Sequence, residues 1–488
     1  RAAKAMVVAQ EPIAADVCVR ELKAGGNAVD AAVAVAFALA VTHPSAGNLG
    51  GGGFLLLRTK DGRSTFFDFR EKAPGQASRD MYLDAAGKLT RDSLVGWRAS
   101  GVPGTVAGLE AAHRKYGRRK WTELLAPAVE LAEKGFPVSD ALSTSLKNAG
   151  RTRTAARDGS VLTSGGVLTQ FPESKRIFLR DGRFFEPGEI LVQPELASTL
   201  KRIQKNGARE FYEGETARIL AEEMARNGGL ISREDLKAYR PVERKPLEGA
   251  YRGYSIVTAP PPSTGGVGLL QMMGVLEKSG YEKFGHGSAA TIHWLAETMR
   301  RYYADRGQHL GDPDFVKIPV RGLISKAYTD QLRALIDPAK ATPSTSVRAG
   351  NPAPYESTET THFSIVDEEG NAVALTYTLN GGYGSGVTVP RLGFLMNNEM
   401  DDFAAKPGSP NMFGLIEGEA NAIAPGKRMN SSMTPTIVLK DGQLFLVIGA
   451  PGGSRIITGV MQAILNVIDF GMNVQDAVDA PRIHHQWQ

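Results

Sequence analysis

Thr360 is the residue in this sequence best placed to act as a nucleophile carrying its own base. It opens the stretch TTHFSIVDEEGNAVALTYTL, in which two β-rich runs flank Glu-Glu-Gly. A three-residue loop ending in a left-handed Gly is a common hairpin connection. Pairing Asp367 with Asn371 sets Thr360 opposite Thr378. Side chains alternate along a strand, so Phe363, Ile365, Val373, Leu375 and Tyr377 share an apolar face meant for the core. Thr360, His362, Ser364, Thr376, Thr378 and Asn380 share the other. The chain before Thr360, IDPAKATPSTSVRAGNPAPYEST, is rich in Pro, Ala, Ser and Thr and reads as an exposed loop. A loop that runs straight into Thr-Thr suits a chain that cuts itself between Glu359 and Thr360. The freed α-amine, a group that titrates at ~7.7–8.0 in simple peptides, could take the proton of the Thr360 hydroxyl and activate it. Spacing alone still favours the plainer reading, an ordinary Ser/Thr-rich hairpin.

Other segments offer chemistry that spacing leaves open. Arg70 ends a β-rich run beside Glu71, which suits a salt bridge as well as it suits a carboxylate ligand. Glu399, Asp401 and Asp402 form an acidic cluster without a calcium-loop pattern, readable as a solvated turn. Gly452-Gly453 separates a strand-like LFLVIGA from a helical pattern over Ser454 to Ile468. Amides in such a turn point at anions, although simple turn geometry also accounts for the glycines. Ser431-Ser432 looks like ordinary loop, and His484-His485 has no partner at a metal-ligand offset. AGNLGGGGF lacks the Lys-Ser/Thr of a phosphate loop and reads as turn and packing.

The elements that must position these residues follow from periodicity and caps. Helical patterns cover 12–24, 28–41 (capped by Asn27), 122–134, 194–206, 215–227, 232–239 and 288–303. FLLLRT and RSTFFDF flank a Lys-Asp-Gly turn and predict a second hairpin. Residues 251–259 read as one strand leading into PPPSTGG, and the segment TPTIVLKDGQLFLVIGA reads as strand. The 488 residues are 42% hydrophobic, with a net charge of +5 and no dense Lys/Arg block, which argues against nucleic-acid binding. A single cysteine, Cys18, excludes an internal disulfide and reads as a buried, inert thiol. The longest apolar run, 31–41, falls short of the roughly 20 residues that span a bilayer.

Long motifs in one order carry a resemblance. ESTETTHFSIVDEEGNAVALTYTLN, NNEMDDFAAKPG, SSMTPT, GAPGGSRI, AGNLGGGGF, DFREKAP, PPPSTGG and YADRGQHLGDPDFV together resemble the γ-glutamyltransferase (γ-glutamyl transpeptidase, glutathione hydrolase) family from Met6 to Trp487. The resemblance implies an α+β fold, the four-layer αββα sandwich of N-terminal nucleophile hydrolases. It implies self-cleavage between Glu359 and Thr360 into segments 1–359 and 360–488 that stay associated. Thr360 is then the nucleophile, Thr378 orients it, and Gly452 and Gly453 form the oxyanion hole. Arg70, Ser431 and Ser432 bind the substrate α-carboxylate, and Asn380, Glu399 and Asp402 its α-ammonium. The implied partners are a γ-glutamyl compound such as glutathione and an amine acceptor; no cofactor and no metal are implied. Residues 406–419 match the family's pocket lid. Phe413 stands where many members carry Tyr, so closure is expected to rest on apolar contact alone. No signal peptide is visible in this sequence, and the family implies a periplasmic or extracellular mature form. The family pattern continues past PRIHHQW, so its C-terminal section is expected to be absent here. Two alternatives share these features: a glutaryl or cephalosporin acylase on the same scaffold, and a non-catalytic homologue that binds γ-glutamyl compounds.

Overall fold

Two antiparallel sheets lie face to face, with helices covering both outer surfaces. The computed structural model describes residues 4–150, 166–352 and 362–487. The strands used here are β1 (Met6–Val8), β2 (Gly52–Arg58), β3 (Ser64–Phe69), β4 (Val242–Arg244), β5 (Leu247–Tyr251), β6 (Tyr254–Thr258), β7 (Phe363–Val366), β8 (Ala372–Thr378), β9 (Thr436–Lys440) and β10 (Gln443–Ile448). The first sheet has six strands in the order β1-β7-β8-β2-β3-β4, and the second has four in the order β10-β9-β6-β5.

The β7–β8 hairpin has the register expected from its loop. Phe363 pairs with Leu375 and Val366 with Ala372. The Asp367 amide donates to the Asn371 carbonyl at 3.0 Å, and Gly370 closes the turn with a left-handed φ of 88°. Alternation then divides the side chains between two cores. Phe363, Ile365, Val373, Leu375 and Tyr377 pack with Leu55, Leu57 and Phe69 against the first helix layer. Each large apolar side chain so buried contributes about 1.5–3 kcal/mol. On the opposite face, Ala372 and Ala374 join Phe54, Leu56 and Phe66 against Val257 and Ile437 of the second sheet and Met433 on the loop before β9. The hydroxyl-bearing face of the hairpin thus looks into the space between the sheets.

The first helix layer is built on α1 (Pro12–Lys23) and α2 (Ala28–Thr42). Every residue of α2 is buried, as its all-apolar surface requires. Asn27 and Asp30 form a capping box at its start. The Ala28 amide donates to Asp367 Oδ2 at 2.9 Å, and Tyr377 donates its hydroxyl to the Ala36 carbonyl at 3.0 Å. Both bonds tie the hairpin to the helix. Cys18 lies buried in α1, and burial pushes its thiol up to about 12. The second layer comprises α3 (Thr264–Leu276), α4 (Ala289–His309) and α5 (Arg455–Ile468), packed on Ile256 and Val438.

The expected helices appear as Pro12–Lys23, Ala28–Thr42, Trp121–Lys134, Pro194–Asn206, Glu215–Arg226, Arg233–Ala238 and Ala289–His309. Two strand readings are corrected. The run 251–259 is not one strand, because Arg252 and Gly253 both take left-handed φ and fold β5 back on β6. Likewise Asp441-Gly442 splits the segment after Ser432 into the hairpin β9–β10. The glycines of AGNLGGGGF serve turn and packing as expected: a Cβ on Gly53 would fall 2.5 Å from Tyr377 Cα. No described helix is long and apolar enough to cross a membrane.

Candidate active site

Arg70 follows the end of β3, and its side chain is fully buried. Asp68 Oδ1 accepts the Arg70 main-chain amide at 3.0 Å, and Tyr239 donates its hydroxyl to the Arg70 carbonyl at 2.8 Å. The guanidinium meets Glu399 at 2.7 Å, Asp402 at 2.7 Å and Glu71 at 3.4 Å. It also donates to the Asn430 carbonyl at 2.8 Å. Glu399 and Asp402 come from a single 3-10 turn, Glu399–Asp402, which presents both carboxylates to the same fork. The expected ligands of the two charged ends of a substrate are thus paired with each other rather than set apart. A buried cation needs such partners. The salt-bridge reading of Arg70 holds, with Glu399 and Asp402 joining Glu71 as its partners.

Three carboxyls around one guanidinium exceed its charge. Burial, with Asp402 and Asp401 nearby, pushes Glu399 up to about 8 despite Arg70. Burial and the neighbouring Glu399 raise Glu71 well above the ordinary carboxylate range. Glu71 Oε1 and Glu399 Oε1 lack a hydrogen-bond partner among the described residues. Glu71 makes the salt bridge with Arg70 that its neighbouring position suggests and also belongs to this wider cluster. The signal was its place next to Arg70, read there only as a local salt bridge.

Ser431 and Ser432 lie on the loop leading to β9, next to Asn430. The Ser431 carbonyl accepts the Thr264 hydroxyl at 2.9 Å, which anchors this loop to the start of α3. Ser432 is fully buried, and its Oγ has no hydrogen-bond partner among the described residues. Asn380, with φ of 75°, follows β8 in the left-handed region. Its amide donates to Thr378 Oγ1 at 2.7 Å, and its Nδ2 donates to the Asn398 carbonyl at 2.9 Å. Asn398 precedes Glu399, so Thr378, Asn380 and the carboxylate turn form one connected rim.

Gly452 and Gly453 separate β10 from α5 with φ of 132° and 56°. Their amides donate to no acceptor among the described residues. The ring of Phe413 covers the turn, lying 2.6 Å from where a Cβ on Gly453 would stand. His362 packs against Gly449 just upstream, with Nε2 2.6 Å from Ser364 Oγ and Nδ1 3.2 Å from Thr376 Oγ1. Enclosure between the sheets pushes its imidazole down to about 3, so it is neutral near pH 7. Glu359 and Thr360 lie outside the described residues. His484 and His485 contact Thr458 and Arg300 respectively, and the described residues contain no group of three that could hold a metal.

The expectation that segment 406–419 closes by apolar contact alone is corrected. The Met412 amide donates to Asp401 Oδ2 at 2.9 Å, and the Phe413 carbonyl accepts from Gln486 Nε2 at 2.9 Å. Both bonds use main-chain groups and so do not depend on the side chain at 413.

The sandwich and the hairpin ending at its open side are those of N-terminal nucleophile hydrolases. Solved structures bear this out. The chain is similar to the cephalosporin acylase from Bacillus halodurans, with a TM-score of 0.84, 29% identity, and 98% of this chain and 83% of that one covered. It is also similar to the gamma-glutamyltranspeptidase of Helicobacter pylori, with a TM-score of 0.67, 41% identity, and 72% and 97% covered. The sequence profile of the gamma-glutamyltranspeptidase family matches residues 14–488, and the chain belongs to that family. It is 51% identical over 488 residues to the glutathione hydrolase proenzyme of Escherichia coli (strain K12), covering 100% of this chain and 82% of that protein. It is 40% identical to the Acylase ACY 1 proenzyme of Pseudomonas sp. (strain SE83), covering 98% and 82%.

Proposed function

We propose that this protein cleaves the γ-glutamyl amide bond of glutathione and related compounds, after cutting its own chain between Glu359 and Thr360. The observation that carries this reading is the buried cluster of Arg70, Glu71, Glu399 and Asp402, joined through the Asn430 carbonyl to the loop of Ser432, whose hydroxyl has no partner among the described residues. An α-carboxylate suits the Arg70 fork and the Ser431-Ser432 pair. An α-ammonium supplies donors to carboxylate oxygens that lack them. A γ-linked glutamate carries both groups.

The chemistry begins with processing. The Thr360 hydroxyl attacks the Glu359 carbonyl, the peptide bond is exchanged for an ester, and water hydrolyses that ester. Segments 1–359 and 360–488 remain associated, because Arg70 comes from the first and Asp402 from the second. The new α-amine of Thr360 then takes the hydroxyl proton as Oγ attacks the γ-carbonyl. Gly452 and Gly453 amides receive the developing oxyanion. The leaving amine departs with the proton held by the Thr360 α-amine, giving a γ-glutamyl ester on Thr360. Water or an amino-acid or peptide amine attacks that ester, returns the proton to Oγ and releases glutamate or a new γ-glutamyl compound. Thr378 orients the hydroxyl from the neighbouring strand. We place the mature enzyme in the periplasm or outside the cell, on the family resemblance, and cell fractionation tests that.

A glutaryl or cephalosporin acylase is the competing reading, since relatives of this chain bear such names. A glutaryl group has no α-ammonium and would supply no donor to Glu71 Oε1 and Glu399 Oε1, which lack one among the described residues. The deciding experiment follows intact mass at neutral pH and then assays a γ-glutamyl anilide beside a glutaryl-cephalosporin. Two fragments, the smaller beginning at Thr360, with turnover of the anilide support the proposal. Turnover of the glutaryl compound alone overturns the substrate, and an uncut chain that binds γ-glutamyl compounds overturns the enzyme.

A further inference from the structure

Arg306, Asn421 and Asn430 anchor the end of the segment 406–419 through the Glu417 carboxylate, and its tip, the main chain of Met412 and Phe413, is held at two points by side chains from outside it. On one flank Asp401 accepts the Met412 amide at 2.9 Å, while Ser93 donates its hydroxyl to the other Asp401 oxygen at 2.9 Å. On the other flank Gln486 donates Nε2 to the Phe413 carbonyl at 2.9 Å. Between these clips the segment makes its own tight turn, because Asn411 Oδ1 accepts the amides of Phe413 and Leu415. The turn sets Met412 Sδ 3.8 Å from Asn380 Nδ2 and the Phe413 ring over Gly453.

The Gln486 amide is oriented by its neighbours. Its Oε1 accepts the Ser454 hydroxyl at 2.8 Å and stands 2.9 Å from His484 Nε2. His484 Nδ1 in turn stands 2.9 Å from Thr458 Oγ1. The Thr458 hydroxyl also has the Arg455 carbonyl as an acceptor at 3.0 Å, and the Nε2–H tautomer of a neutral imidazole donates to Gln486 Oε1 alongside the Ser454 hydroxyl. The oxygen side of Gln486 is thereby fixed towards the start of α5, which leaves only the NH2 side for Phe413. Ser454 directly follows the Gly452-Gly453 turn, so the same amide joins the oxyanion turn to the loop covering it.

We propose that Gln486 is a positioning residue of the reaction, clipping the Phe413 carbonyl so that the 406–419 lid stays shut over the Gly452-Gly453 turn and the donor substrate. The functional half of this inference rests on the γ-glutamyl reading; the clip itself does not. Gln486→Glu separates the clip from the local fold. It keeps an oxygen facing Ser454 and His484 and replaces the donor facing Phe413 with a second oxygen.

Amide hydrogen exchange on the processed enzyme reads the clip directly. One neutral hydrogen bond lost from a locally opening segment should speed exchange across 406–419 by about three- to tenfold. Exchange in the helix Arg455–Ile468 should not change. KM for a γ-glutamyl anilide should rise by a comparable factor, with kcat for hydrolysis held within about twofold, because the lost contact is made equally in ground and transition states. Gln486→Met, which removes both sides of the amide, should move the lid in the same direction and serves if the Glu variant does not fold. Unchanged lid exchange overturns the clip, and so does faster exchange spread equally through Arg455–Ile468. Faster lid exchange with unchanged KM overturns the positioning role. Lid exchange that responds in a protein with no γ-glutamyl turnover leaves the clip standing and removes the substrate reading instead.

Discussion

Arg70 and Glu399 meet at 2.7 Å with neither side chain exposed. Asp402 occupies the second terminal nitrogen of the same guanidinium at 2.7 Å. A planar fork addresses several acceptors at fixed angles, whereas an ammonium is a single point of charge. Arg70→Lys should therefore keep the charge at this position but lose the forked geometry. We expect kcat/KM for a γ-glutamyl anilide to fall by roughly 10–100-fold, mostly through KM, the loss of one or two charge-assisted hydrogen bonds. Steady-state kinetics on the processed variant check this, and an unchanged KM removes Arg70 from substrate recognition.

Thr360→Ala should abolish both processing and turnover. The alanine has no hydroxyl to attack the Glu359 carbonyl, and none to form the acyl ester. Intact mass after prolonged incubation should show one chain, and no anilide should be released. A processed and active alanine variant would place the nucleophile elsewhere. Thr378→Ala should be milder, slowing both steps without blocking them, since it is assigned only to orient the hydroxyl.

Legibility in the sequence tracked how local each feature is. The register of the β7–β8 hairpin was readable because Asp367, Gly370 and Asn371 specify the loop within a few residues. The start of α2 was readable from Asn27, and that of Arg233–Ala238 from Ser232 with Asp235, each a capping box. The Arg70 cluster was readable only through the family resemblance, because Asp402 lies 332 residues away in sequence. The third carboxylate, Glu71, was read only as a local partner, since nothing near it reports how many carboxyls share one guanidinium. The helix Thr264–Leu276 gave no signal, because its glycines lower helix propensity and only its burial sustains it. The bond from Gln486 to the Phe413 carbonyl uses a main-chain acceptor, which every residue type offers, so the residue at 413 could not announce it.

Glu399 should make stability depend on pH. Its carboxyl titrates near 4.5 in the ordinary case and is pushed up to about 8 by burial, and Glu71 is raised in the same direction. The folded state therefore binds more protons than the unfolded state between those values. Stability must fall as pH rises from about 4.5 to about 8 on account of these groups. Glu399→Gln keeps the shape of the protonated acid and has no proton to lose. On a Thr360→Ala background, which keeps the chain in one piece, its Tm should decline less between pH 5 and 8 than that of the parent, measured at roughly 0.1 M salt. Parallel Tm profiles would mean that Glu399 is ionised throughout.

Gly453→Ala should impair chemistry more than binding. The residue holds φ of 56°, and its added methyl would fall 2.6 Å from the Phe413 ring. With a left-handed φ and the Phe413 ring against it, the turn itself must shift, which displaces the amides assigned to the oxyanion; a lid that merely lifts would show in KM instead. Loss of one such donor costs about 10²–10³ in kcat. Burst kinetics should show slowed acylation, and a kcat within error of the parent would take the oxyanion role away from this turn.

Ser432→Ala offers the sharpest separation of stability from function. The Ser432 hydroxyl is fully buried with no hydrogen-bond partner among the described residues. A buried hydroxyl left unsatisfied costs about 1–3 kcal/mol, so its removal should leave Tm unchanged or raise it. If the hydroxyl instead waits for a substrate α-carboxylate, the same change should raise KM by about tenfold, the worth of one hydrogen bond to a charged group. Thermal unfolding and anilide kinetics on one preparation read both quantities. A lower Tm with unchanged KM would assign the hydroxyl to the fold, leaving Arg70 and Ser431 to bind the carboxylate.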